Sequence, residues 1–165
     1  MTDTTNDGRR HLSKLVSNAK VAMLTTTTAD GKRVSRPMGL QEAEFDGDLW
    51  FFAYDDSAKV SQVKAVPEVN VSFSDVKNSS WTSIAGRAEI VQDRDKAEAL
   101  YSPTLRAWFP DGLETRGLTL IKIHAESAEY WEGPSSTVGF VIGTVRAAVT
   151  KNPDLDPIRN TSVEL

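Results

Sequence analysis

A chain of 165 residues, 39% hydrophobic and 25% charged, has the balance of one globular domain with a true apolar core. Its net charge of −4 argues against a nucleic-acid binder built on phosphate contacts, while leaving room for a local basic pocket that holds a single phosphate. The lack of cysteine removes disulfides, thiolate metal sites and a cysteine nucleophile, and two histidines, His11 and His124, are too few for a multi-histidine metal centre.

The start of the chain, Met1 to Asp7, is polar and acidic and has no apolar stretch of the signal-peptide kind. Near the other end, Val138 to Gly143 is apolar but far too short to span a bilayer. The expectation is a cytoplasmic protein with no membrane part. From Asn6 to Lys20, Leu12, Leu15, Val16 and Ala19 recur at helical spacing and predict an amphipathic helix that caps the core. Val21 to Thr28 is a β-branched strand run, and Asp30-Gly31 marks a hairpin. Arg33 to Phe45 reads as a long strand. Pro37 within it removes a ladder donor, so the stretch belongs at an edge, a bulge or a break in pairing.

After the Asp46-Gly47-Asp48 turn, Leu49 to Tyr54 is an aromatic strand, and Ser57 to Val66 is a helix stopped by Pro67. Val69 to Asp75 and Ser79 to Val91 are strands joined around Lys77-Asn78. Asp93 opens another helix, followed by an apolar region containing Leu100, Leu105, Trp108 and Phe109 and then the Pro110-Asp111-Gly112 turn. Gly117 to Glu132 is the last long strand, Thr137 to Val149 a short terminal helix, and residues from Lys151 onward a loosely held polar tail. The sum is a mainly β (α+β) protein, a six-stranded antiparallel split β-barrel flanked by helices. It forms one domain over 1–150, with a tail over 151–165.

Two segments stand out chemically. Ser57 and Lys59 open a helix directly after the aromatic strand, so a hydroxyl, a helix N-terminus and an ammonium converge on a site suited to a phosphate. Taken alone, such a pair is more often an N-cap serine and a solvated lysine. The apolar strand Leu49 to Tyr54 would support a flat heterocycle, and Arg36 from the neighbouring Ser35-Arg36-Pro37-Met38 segment would add a second positive charge. Read together, they describe a flavin mononucleotide site.

The ordered set Val21–Thr26, Ser35-Arg36-Pro37-Met38, Leu49-Trp50-Phe51-Phe52, Asp56-Ser57-Ala58-Lys59, Pro67–Val71, Ile84–Ala88, Ala107–Gly112 and Glu129-Tyr130-Trp131 resembles the general stress protein branch of the pyridoxamine 5′-phosphate oxidase-like FMN-binding split barrels. The resemblance implies that Ser35, Arg36, Pro37 and Met38 lie against the flavin and its ribityl chain, and that Ser57 and Lys59 hold its phosphate. It also implies that Phe51, Phe52 and Ala53 run along the ring, with the backbone of Phe52 and Ala53 bonding its polar edge. Strand alternation puts Phe51 and Phe52 on opposite faces, so at most one of them meets the ring by its side chain. Where many relatives carry arginine between the serine and the lysine, this chain has Ala58.

The same resemblance implies a homodimer with flavin sites at the subunit interface, each closed by Trp108 or Trp131, and a small-molecule redox partner. Catalytic residues stay unassigned. The cofactor expected is FMN ahead of FAD or a deazaflavin, and the function that of a flavin-binding stress protein able to act as an oxidoreductase. Oxidation of pyridoxamine phosphate ranks lower, because no C-terminal arginine and histidine group is present to hold that substrate. The rival readings are flavin binding, sensing or buffering without turnover, and a dimeric interaction module without cofactor.

Overall fold

A computed structural model describes residues 2–41, 45–134 and 159–165. Helix α1 covers Thr2–Asn18 and presents Leu12 and Val16, one turn apart, to the core. Strands β1 (Val21–Thr27) and β2 (Arg33–Gly39) form the expected hairpin around Asp30-Gly31. They are followed by β3 (Asp48–Tyr54), α2 (Ala58–Ala65), β4 (Glu68–Asp75) and β5 (Ser80–Val91). Helix α3 (Arg94–Leu100) is capped by Asp93, whose carboxylate accepts the Lys96 amide at 2.9 Å. Two short 3-10 turns, Pro103–Ala107 and Gly112–Glu114, lead into β6 (Leu118–Glu132).

All pairings are antiparallel, in the order β2-β1-β4-β5-β6-β3, and β2 and β3 at the two ends approach each other without pairing. The sheet therefore curls as a split barrel that stays open. Its inner face carries Leu24, Phe51, Val71, Ile84, Ile121 and Ile123, and Val60 and Val63 of α2 join the same core. A second cluster forms on the other face of β3, where Phe52 and Leu120 meet Ala97, Leu100, Leu105 and Phe109. Gly86 lies opposite a bulge in β6, where Glu126 is the extra residue, and a Cβ there would lie 2.4 Å from the His124 carbonyl oxygen. Only glycine permits that approach of β5 to β6.

Two expectations change. Residues Arg159–Glu164, read as part of a loose tail, instead form a seventh strand, β7, which pairs with the Ser127–Glu132 half of β6 and buries Val163. β2 ends at Gly39 rather than running on to Phe45. His11 lies 2.9 Å from Glu132 and packs against Tyr130 with the rings tilted by 46°, fastening α1 to β6. The terminal helix expected over Thr137–Val149 lies outside the described residues. Among the described residues, no helix is long and apolar enough to cross a membrane.

Candidate functional site

The two open edges of the sheet, β2 and β3, supply the site, and hydrogen-bond alternation decides what each edge offers. In β3, the Gly47 carbonyl accepts the Ala125 amide and the Asp55 amide donates to the Gly117 carbonyl, both at 2.8 Å. With the continuous register between them, odd-numbered backbone groups point to β6 and even-numbered ones to the open edge. The amide and carbonyl of Phe52 are thus free for a ligand, whereas those of Ala53 are turned toward Thr119 of β6. In β2 the Thr28–Lys32 and Leu40–Lys20 bonds set the opposite parity, and Pro37 falls at an outward position. Its missing N–H therefore removes no ladder bond, while the edge placement that Pro37 implied for this stretch holds.

Beyond β3, Ser57 precedes α2 in an extended conformation and makes no side-chain cap bond. Its hydroxyl instead donates to the Tyr54 carbonyl at 2.6 Å and would have to turn from it to donate to an anion, whereas the Ala58 and Lys59 amides at the start of α2 are open to one. Arg36 approaches from β2. Its Nη1 donates to the Leu24 carbonyl at 3.2 Å and to Thr26 Oγ1 at 2.6 Å, and its Nη2 donates to Gln62 Oε1 at 3.0 Å. Thr26, 1% exposed, donates to the same Gln62 oxygen at 2.6 Å. Three of the five guanidinium N–H groups are used in fixing the side chain, so the rest remain to bind.

Lys59, half-buried on the first turn of α2, lies close enough to Arg36 to sense its charge. Burial, and then the Arg36 cation, push the Lys59 amine below its ordinary value, and burial also lowers that of Arg36. Among the described residues, no carboxylate lies within ion-pair distance of either cation. Two partly desolvated cations without a counter-charge repel each other, and a dianionic phosphate is the kind of group that relieves this.

The remaining residues singled out in the sequence are distributed as follows. Ser35 and Pro37 face outward, Ser35 sharing a 2.7 Å hydroxyl contact with Thr25, while Met38 is buried in the core on the Arg36 side. Phe51 and Ala53 belong to the inner core and Phe52 to the second cluster, and both phenylalanine rings are largely buried there. Trp108 is 65% exposed, and its carbonyl accepts the Tyr54 hydroxyl at 2.9 Å, beside the turn that carries Ser57. Trp131 pairs with Trp81 on the outward face, in the half of β6 beyond its pairing with β3 and eleven residues along the strand from Leu120, the partner of Phe52. Arg36, Ser57, Lys59 and the Phe52 edge come together; Trp131 of the same chain does not join them.

Thr26 and Gln62 were not singled out from sequence. Thr26 looks like any β-branched strand former, and the one signal for Gln62 is its place three residues after Lys59, on the same helix face.

Comparison with known proteins agrees with the fold. Residues 7–154 match the family described as pyridoxamine 5′-phosphate oxidase like. Protein bli-3 of Neurospora crassa is 32% identical over 152 residues, covering 86% of this chain and 73% of that protein. The crystal structure of the general stress FMN/FAD binding protein from Xanthomonas citri superposes with a TM-score of 0.69 at 26% identity, over 80% of this chain and 93% of that one. General Stress Protein 26 from Bacillus anthracis gives a TM-score of 0.66 at 20% identity, over 74% of this chain and 92% of that one, a likeness of fold.

Proposed function

This chain belongs to the pyridoxamine 5′-phosphate oxidase-like family, and we propose that it binds FMN, with the phosphate held by Arg36, Lys59 and the Ser57 end of α2. The observation that carries this reading is the Arg36–Lys59 pair: two cations drawn together, partly buried, and given no carboxylate among the described residues. A flavin on this phosphate would extend along the open edge of β3, where the Phe52 amide and carbonyl can meet the polar rim of its ring system. The similar Xanthomonas citri protein is an FMN/FAD binder, which supports a flavin here. When bound, the flavin itself supplies hydride or electron transfer. The residues of this chain anchor it, orient it and keep one side open to a small-molecule redox partner.

The functional unit in this reading is a homodimer. The outward face of β1 exposes Val21 (57%) and Met23 (40%) beside Pro37, and Trp81 and Trp131 continue that face across the sheet. A second copy seated there would cover the apolar side chains. It would also bring a Trp131 to the flavin that its own chain cannot bring.

Titration of the purified protein with FMN, FAD and a deazaflavin, read by flavin fluorescence, tests the proposal. Saturable FMN binding near one per subunit, weakened in Lys59→Ala, is the expected result. No saturable binding of any of the three overturns it.

A further inference from the structure

A cleft of about 370 Å³ opens on the Phe52 face of β3, between α3, the Gly112–Glu114 turn and the start of β6, and neither Arg36 nor Lys59 lines it. Its size lies within the roughly 300–1,000 Å³ common to small-molecule sites. Phe52 and Leu120, both nearly fully buried, make an apolar floor, with Leu113 beside them.

The polar part of the wall has two features of its own. Thr115 is 9% exposed, and its Oγ1 has no hydrogen-bond partner among the described residues. Orphaned buried hydroxyls are rare, and one in the wall of a cleft marks a place for a ligand contact.

The second feature is charge. Asp55 packs against Gly117, where a Cβ would lie 2.6 Å from Asp55 Oδ1, so the left-handed glycine (φ +75°) seats the carboxylate at the cleft. Asp55 makes no ion pair among the described residues, and Asp93 adds a second carboxylate to the lining. The one cation of the lining, Arg94, is already bound by Glu98 at 2.7 Å, Glu114 at 2.6 Å and the Leu113 carbonyl at 3.1 Å. The cleft lining therefore carries two carboxylates, Asp55 and Asp93, against one guanidinium that is already committed.

We propose that this cleft binds a small organic cation, an amine carried on an apolar or aromatic body. The body rests on Phe52 and Leu120, the ammonium meets Asp55, and the Thr115 hydroxyl accepts a hydrogen bond that it lacks without the ligand. The proposal stands independently of flavin binding, because it uses no residue of the phosphate site.

The test is a titration of the full chain, methyl-labelled at leucine, with benzylammonium, benzyl alcohol and benzoate, with and without FMN. Benzylammonium is expected to shift the Leu113, Leu118 and Leu120 methyl signals saturably and to bind at least about ten-fold more tightly than benzoate, a preference that Asp55→Asn removes. Thr115→Val, close to isosteric, should weaken benzylammonium by about three- to ten-fold while leaving the ligand-free spectrum otherwise in place. Absence of a saturable shift, benzoate binding as tightly as benzylammonium, or an unchanged preference in Asp55→Asn would each overturn the proposal. The methyl readout does not depend on flavin, so its failure is distinct from a failure of FMN binding.

Discussion

Gln62 on α2 holds Arg36 on β2 through a single oxygen, which accepts Arg36 Nη2 at 3.0 Å and the Thr26 hydroxyl at 2.6 Å. Helix, edge strand and the strand between them are thereby joined at one atom, and the guanidinium is fixed before any ligand arrives. Preorganised donors bind an anion more tightly than mobile ones, because less side-chain freedom is lost on binding.

Gln62→Leu should release this clamp while keeping the helix. FMN affinity is expected to fall by roughly three- to ten-fold, and stability by about 1–2 kcal/mol, since Thr26 and Arg36 lose a buried acceptor. Fluorescence titration and thermal melting read the two effects separately. Unchanged affinity would mean that Arg36 plays no part in phosphate binding.

Ala58 is exposed on the first turn of α2, between Ser57 and Lys59. Arginine there has room to extend into solvent beside the phosphate site. Ala58→Arg is expected to tighten FMN by roughly three- to ten-fold, the lower part of the range for a charge-assisted contact because the position is solvated. Lys59→Ala should act in the opposite sense and more strongly, by roughly ten- to a hundred-fold. A double variant that binds like Ala58→Arg alone would show that Lys59 does not reach the phosphate.

The depressed Lys59 value has two consequences of opposite sign. The amine returns to its ordinary 10.5 in the unfolded chain, so between the lowered folded value and 10.5 the unfolded state binds more protons. Stability of the flavin-free protein due to this group therefore rises with pH across that window. Flavin binding moves the other way, because the phosphate needs the ammonium form. FMN affinity should begin to fall below pH 10.5, and Lys59→Met should flatten both profiles. Denaturant melts and FMN titrations over the alkaline range check the two slopes.

Thr115→Val tests the orphaned hydroxyl without any ligand. Replacing a buried, unpaired polar group by a methyl of similar shape is expected to raise stability by about 1 kcal/mol. A fall of that size in a melting experiment would show that the hydroxyl has a partner in solution.

The strands were legible because their apolar residues alternate and their turns carry strong signals, such as Asp30-Gly31 and Asp46-Gly47-Asp48. β7 was not, since Asn160-Thr161-Ser162 has no apolar alternation and the strand depends on one buried side chain, Val163, and on the pairing that β6 provides. Arg36, Ser57 and Lys59 stood out through residue type and order along the chain. Thr26 and Gln62 did not, because their role rests on contacts between segments 36 residues apart. Met38 shows the limit of a motif: adjacent residues of a strand point to opposite faces, so Ser35-Arg36-Pro37-Met38 cannot offer four side chains to one ligand.

The outward placement of Pro37 also bears on how copies of this chain can meet. The β2 edge is a row of backbone groups that another strand could in principle join, and an edge-to-edge union of that kind, repeated, gives filaments rather than closed assemblies. Proline interrupts the donor row at its centre without weakening the hairpin behind it. One ring of five atoms thus guards this edge against runaway polymerisation, and the dimer proposed above, seated on the face of the sheet, would leave it untouched.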